Sequence, residues 1–265
     1  MPKVKVNDIQ MYYEVKGEGF PLVMITGFSL NLDYWNPHLI EELSMNFKTV
    51  TFDNRGTGRT DVSDREYAIK LFADDTAGLM NALGISKAHI LGWSMGGMIA
   101  QELALNYPEK VAKLVLYSTN CGDAKSIPMS QETGGMFNRL FAGGMPIEEA
   151  VKILNRLNFT NDFIDNNPDF VKLMNERFLA ILTSRETLSR QATAIRNFNT
   201  FDRLSGIKAP TLVLSGKRDI VIPPENGPIL TKAIPNAKLV CLEESAHALT
   251  EDMEKVIRII TDFLL

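Results

Sequence analysis

Gly92-Trp93-Ser94-Met95-Gly96 stands where an apolar run, His89-Ile90-Leu91, gives way to a run of helix formers, Ile99 to Leu105. A chain that passes from strand to helix over so few residues turns too tightly for side chains at the flanking positions, and glycine on both sides removes them. The serine is then pushed out at the carboxyl edge of a sheet, close to the N–H groups of the first helical turn that have no partner within the helix. This strand–turn–helix unit constrains the chain to a layered α/β molecule. Taken alone, the same five residues would serve equally as a glycine-rich packing turn. Chemistry at Ser94 requires a base, and the base requires an orienting group.

The chain has only three histidines. His38 lies early in an amphipathic stretch, Tyr34 to Met45, and reads as a partly exposed helix residue. His89 opens the strand that leads to Ser94, at the end remote from the serine. His247 follows a strand-like run, Lys238 to Leu242, in the loop Glu244-Ser245-Ala246-His247-Ala248. A C-terminal helix comes after it, with Thr250 expected as N-cap and Glu251 and Asp252 in its first turn. Of the three, His247 alone occupies a loop at a strand's carboxyl end, the edge where Ser94 stands.

The acid belongs on that edge too. Pro210-Thr211-Leu212-Val213-Leu214-Ser215-Gly216 reads as a buried parallel strand, and the loop after it, Lys217 to Pro223, offers one carboxylate, Asp219. The loop after the Val111–Leu116 run holds no acid before Asp123. An aspartate in such a loop is commonly only a turn former. The chain order Ser94, Asp219, His247, with all three on strand-end loops, favours a nucleophile–base–acid constellation.

With Gly27-Phe28 after the first buried strand, Asp53-Asn54-Arg55-Gly56-Thr57-Gly58-Arg59-Thr60, Gly92-Trp93-Ser94-Met95-Gly96-Gly97, Gly216-Lys217-Arg218-Asp219 and Ser245-Ala246-His247, the chain resembles the α/β-hydrolase fold superfamily over its full length. The resemblance implies a mostly parallel, eight-stranded sheet flanked by helices, with an inserted all-helical cap. It also implies Ser94 as nucleophile, Asp219 as acid and His247 as base, with an oxyanion hole from the backbone N–H groups of Phe28 and Met95. Two preorganised donors are what a developing oxyanion needs. Thr26 stands where the family usually has a histidine before the glycine. The Asp53–Thr60 segment reads as a tight turn anchoring the sheet, without a part in acyl transfer.

A chain of 265 residues, 45% hydrophobic, is enough for one large core. Residues 1–121 and 201–265 read as the core, and 122–200, where the strands stop, as the cap. Helices are expected from Pro146 to Leu157, from Asn167-Pro168 through Leu182, and around Leu188 to Phe198. Gly134-Gly135 and Gly143-Gly144 read as flexible points among Met129, Met136, Phe137, Phe141 and Met145. Trp35, Trp93, Phe137 and Phe141 are the candidate substrate-binding residues of an apolar pocket. Arg139 and Arg156 are the cap arginines that would meet a substrate carboxylate if either faced inward.

A net charge of −4 gives no reason to expect a nucleic-acid partner. No apolar run approaches the ~20 residues of a membrane span. Cys121 and Cys241 fall on or beyond different strands, so free thiols and a cytoplasmic setting are expected. No metal-ligand spacing and no dinucleotide fingerprint occur, so neither metal nor cofactor is expected. The partner expected is a small-molecule ester, with homo-oligomer formation left open. The activity expected is carboxylic ester hydrolysis. Hydrolysis of an enol-lactone or of a C–C bond in ring-cleavage products is the alternative, a ligand-binding sensor is the non-enzymatic one, and perhydrolysis shares the same residues.

Overall fold

The computed structural model describes residues 2–122, 124–142 and 144–265, so Asp123 and Gly143 lie outside the described residues. Strands β1 (Lys3–Val6) and β2 (Ile9–Lys16) open the chain, followed by β3 (Phe20–Ile25), α1 (Pro37–Ser44), β4 (Phe47–Phe52) and α2 (Ile69–Ala82). Next come β5 (Ala88–Trp93), α3 (Met95–Asn106) and β6 (Val111–Tyr117). The segment between β6 and β7 is helical: α4 (Gln131–Ala142), α5 (Ile147–Asn158), α6 (Asn161–Asn166), α7 (Pro168–Ala180) and α8 (Arg185–Arg196). β7 (Thr211–Gly216), α9 (Asn226–Ala233), β8 (Lys238–Leu242) and α10 (Met253–Leu264) complete it.

The eight strands form one sheet in the order β1-β2-β4-β3-β5-β6-β7-β8. β1–β2 and β2–β4 are antiparallel, and every pairing from β4 onward is parallel. Parallel strands covered on both faces need apolar side chains on both. β3 meets that demand directly: Val23 and Ile25 join a core layer with α2 and α3, while Leu22 and Met24 join the opposite layer with α1 and α10. β5 is buried throughout and lies between β3 and β6, so Ser94 emerges from the middle of the sheet.

The helical segment leaves and rejoins the core at one place. Gly122 and Asn199 form an antiparallel bridge, and the Thr200 amide donates to the Cys121 carbonyl at 3.0 Å. Side chains from the segment, including Leu140, Leu154, Leu157 and Met174, enter the same core layer as Trp93 and Tyr117.

Three local expectations are corrected. Gly134 and Gly135 sit inside α4, which Ser130 starts by accepting from the Thr133 amide with its hydroxyl. The helix expected to run through Leu182 stops at Ala180, because the chain turns extended at Ile181 to bond the loop after β3: Asn31 donates to the Ile181 carbonyl and Thr183 donates to that of Ser29. Thr250 is not an N-cap. Leu249 takes a left-handed conformation, Thr250–Asp252 form a 3₁₀ turn, and the Thr250 hydroxyl donates to the Ala248 carbonyl. Neither Cys121 nor Cys241 forms a disulfide, and β7 separates the strands they follow or occupy.

Candidate active site

Ser94 has φ 57° and ψ −119°, a conformation side-chain-bearing residues avoid. The surroundings hold it there. Its amide donates to the Tyr117 carbonyl of β6 at 2.9 Å, and its carbonyl accepts from the Gly97 amide at 2.9 Å and the Thr119 hydroxyl at 2.8 Å. The glycines of the turn are sterically required. A Cβ on Gly92 would lie 2.2 Å from the Gly96 carbonyl oxygen, and one on Gly96 would lie 2.1 Å from that of Ile25.

His247 and Asp219 meet across two loops. The imidazole Nδ1 lies 2.8 Å from Asp219 Oδ2, with both side chains almost wholly buried. The other carboxylate oxygen, Oδ1, accepts from the amides of Val221 and Ile222, each at 2.8 Å. These contacts, two on Oδ1 and one on Oδ2, fix the orientation of the carboxylate. The two loops run side by side because Gly216 has no side chain: a Cβ there would lie 2.2 Å from the Ser245 carbonyl oxygen, and the Arg218 amide donates to that oxygen at 3.0 Å.

The His247 loop is anchored on all sides. Its own carbonyl accepts from Trp93 Nε1 at 3.2 Å, and the Ala248 carbonyl accepts from the Tyr117 hydroxyl. The Ala248 amide donates to the Asn158 carbonyl of α5 at 3.0 Å, tying this loop to the helical segment. Glu251 bridges both, accepting from the Ala246 amide and from the Thr160 amide.

Ser94 and His247 line one cavity of about 240 Å³ together with Phe28 and Met95. The loop that carries Phe28 passes against the serine, since a Cβ on Gly27 would lie 3.1 Å from Ser94 Cβ. Met95 is the first residue of α3, where an N–H has no partner within the helix. Thr26 holds the Phe28 loop in shape by donating to the Leu30 carbonyl, while Asn54 donates to the Thr26 carbonyl and hydroxyl. Among the described residues, no group of three or more His, Cys, Asp and Glu is arranged to hold a metal ion. Nor is any helix long and apolar enough to cross a membrane.

The family model of the alpha/beta hydrolase fold matches residues 21–252. The chain belongs to this family. It is 27% identical over 248 residues, covering 94% of this chain and 92% of the other, to a putative carbamate hydrolase, RutD, of Azorhizobium caulinodans. It is 31% identical over 270 residues, covering 97% and 92%, to a 2-hydroxy-6-oxononadienedioate/2-hydroxy-6-oxononatrienedioate hydrolase of Pseudomonas putida. Its structure is similar to that of the enol-lactonase from Burkholderia xenovorans, with a TM-score of 0.86, 25% identity and 99% of each chain covered.

In this hydrolase the sequence-derived residues divide. Ser94, His247, Phe28, Met95, Trp93, Phe137 and Phe141 line the cavity, and Asp219 sits behind the histidine. The rings of Phe28, Phe137 and Phe141 form one cluster, with centroids 4.7–5.3 Å apart, joining α4 to the core loop above the serine. Trp35 is the exception. It packs behind Trp93, with ring centroids 5.8 Å apart, and lines a smaller cavity with Tyr34 on the far side of that indole. Trp93 stands between it and the cavity that holds Ser94.

Neither arginine flagged in the sequence faces the cavity. Arg139 pairs with Glu149 at the surface, and Arg156 is exposed on α5. Arg196 of α8 lines it instead. Sequence reasoning also missed Val221 and Ile222, which shape the wall with their side chains and hold Asp219 with their amides. Their place two and three residues after Asp219 was the available signal. The other two histidines lie elsewhere: His38 is exposed against Glu254, and His89 is wedged between Phe20 and Phe47.

The Asp53–Thr60 turn has a structural part. Asp53, buried, accepts from the amides of Leu32 and Arg59. Arg55, fully buried, grips Asp75 with two hydrogen bonds of 2.7 Å and reaches Asp8 as well. This knot joins the turn to α2 and to the loop between β1 and β2.

Proposed function

We propose that the protein is a serine hydrolase that cleaves carboxylic esters with apolar, small-to-medium acyl groups through an acyl-enzyme, with residues 122–200 acting as the cap over its site. The observation that carries the reading is Ser94 on a strained turn opening into the same cavity as a histidine whose far nitrogen is held by a buried carboxylate. In this reading Ser94 Oγ attacks the carbonyl carbon while His247 takes its proton. The Phe28 and Met95 amides receive the charge on the carbonyl oxygen. His247 then gives the proton to the departing alkoxide. A water molecule, deprotonated in turn by His247, attacks the acyl carbon and releases the carboxylic acid and Ser94. Asp219 keeps Nδ1 protonated so that the other ring nitrogen is free to act as base. Phe137, Phe141 and Trp93 supply the apolar wall.

The relatives' names also support a second reading, hydrolysis of an enol-lactone or of a C–C bond next to a carbonyl, which the same three side chains would serve. The deciding experiment is turnover of p-nitrophenyl esters from acetate to long acyl chains, by the wild type and Ser94→Ala in parallel. Turnover that peaks at one chain length and vanishes in the variant is expected. No turnover of any ester by a folded wild type would overturn the ester reading in favour of the second.

A further inference from the structure

The loop between β3 and α1 carries Phe28 past Ser94, and the next residue, Ser29, is held in a left-handed conformation with φ 65°. A serine keeps that backbone only where its surroundings over-determine it. Both backbone groups of Ser29 are bonded, and both partners come from the helical segment between β6 and β7. The Ser29 amide donates to Gln191 Oε1 of α8 at 2.9 Å, and the Ser29 carbonyl accepts from the Thr183 hydroxyl at 2.7 Å. Gln191 is fully buried. From the sheet side, Thr26 and Asn54 fix the start of the same loop.

The helix gives that contact a firm seat. Thr187, Gln191 and Ala194 form its buried face, at spacings of four and three residues. Thr187 packs on the turn after β4, since a Cβ on Gly56 would lie 2.9 Å from its side chain. Arg190 donates to the Ser63 carbonyl and lies over the Tyr67 ring. As a stabilising group Gln191 is a poor choice. Its Nε2 is buried without a hydrogen-bond partner among the described residues, and an unmade bond there costs at least what the Ser29 bond returns. What the side chain supplies is direction. Its Oε1 fixes the peptide between Phe28 and Ser29, and the Phe28 amide, one residue earlier, is the donor that the proposed mechanism aims at the oxyanion.

We propose that Gln191 is a positioning residue: it holds the Ser29 amide from α8 and so aims the Phe28 N–H at the carbonyl oxygen as charge develops there. Thr183 holds the other side of the same residue. The helical segment thus sets the geometry of the oxyanion hole as well as walling the cavity. This inference rests on the reading of Phe28 as an oxyanion donor. Its effect falls on the transition state and leaves ground-state binding alone.

The test measures steady-state turnover of a p-nitrophenyl ester beside the rate at which a fluorophosphonate modifies Ser94. In the second reaction Ser94 Oγ bonds to phosphorus, fluoride leaves, His247 takes the serine proton, and the phosphoryl oxygen occupies the place of the oxyanion. Gln191→Met keeps the bulk and removes the acceptor. It is expected to lower kcat and the modification rate by about tenfold or more, with KM within about twofold of wild type. Gln191→Glu keeps a carboxyl oxygen for the Ser29 amide and is expected to recover most of both rates. Thr183→Val, at a more accessible position, is expected to lower both about threefold or more, and carries the test if Gln191→Met does not fold. Urea-unfolding midpoints of the folded variants are expected to stay near wild type, which separates positioning from a merely structural role. Wild-type rates in Gln191→Met and Thr183→Val, a raised KM at unchanged kcat, or a Gln191→Glu as slow as Gln191→Met would overturn the proposal. Modification of wild-type Ser94 without turnover of any ester counts against the ester reading alone, because the modification rate still tests Gln191. Failure of both reactions in folded wild type would overturn the nucleophile reading and this proposal with it.

Discussion

Asp219 divides its two oxygens between two tasks, one toward the imidazole Nδ1 and one toward the Val221 and Ile222 amides. Replacing it by asparagine tests both. An amide can keep a carbonyl oxygen on the two backbone donors, but its NH₂ toward His247 would demand an acceptor at Nδ1 and so invert the tautomer the mechanism needs. Asp219→Asn is expected to keep its fold by circular dichroism and to lose about 10³- to 10⁴-fold in kcat. Turnover within tenfold of wild type would assign the acid role elsewhere. Asp219 and His247 were legible in the sequence because each stands alone of its kind on a strand-end loop. Arg196 was not, because an arginine on an amphipathic helix reads as solvent-facing until the neighbouring elements are in place.

At the level of elements, glycines that look alike in sequence do opposite things. Gly96 lies against the backbone of β3, where an added Cβ meets the Ile25 carbonyl oxygen at 2.1 Å and neither partner is a flexible side chain. Gly96→Ala is expected to cost about 1–3 kcal/mol or more in urea unfolding and to remove activity, since the strain displaces the turn that aims Ser94. Gly134 lies within α4 with nothing within 4 Å of an added Cβ. Gly134→Ala is expected to raise stability by about 0.4–1 kcal/mol, because helical glycine costs unfolded-chain entropy that alanine does not. A destabilised Gly134→Ala would mean that α4 does not span this residue in solution. The sequence read Gly134-Gly135 as a flexible point from residue type alone. The amphipathic spacing of Thr133, Met136, Phe137, Leu140 and Phe141 and their packing against the core outweigh two poor helix formers.

The whole molecule carries an acid-labile point far from the cavity. His89 sits at the start of β5 between the rings of Phe20 and Phe47, and its Nδ1 is buried without a hydrogen-bond partner. Burial, with a smaller push from Lys113, lowers its pKa from 6.5 to about 4. Between those values the unfolded chain binds a proton that the folded chain does not, so stability is lost as pH falls from about 6.5 towards 4 and is full above 6.5. His89→Leu removes the titrating group. Urea unfolding at the two ends of that window is expected to show a smaller loss in the variant than in the wild type, and equal losses would exclude His89 as a source of acid sensitivity.

The residue chemistry and local rhythm of this chain were determined by sequence alone. Apolar runs short enough to be strands, glycines bracketing Ser94, and acid and histidine placed after later runs follow from short-range sterics and burial, which act over a few neighbouring residues. Tertiary structure decided which aromatics face the substrate. Trp35 and Phe137 are equally apolar and equally near a motif, yet only the second lines the cavity, because Trp93 stands between Trp35 and the serine. Tertiary structure also decided where α7 stops, since Asn31 and Ser29, some 150 residues earlier, take the hydrogen bonds that end it. Such choices depend on contacts between distant segments, and no local pattern encodes which segment arrives.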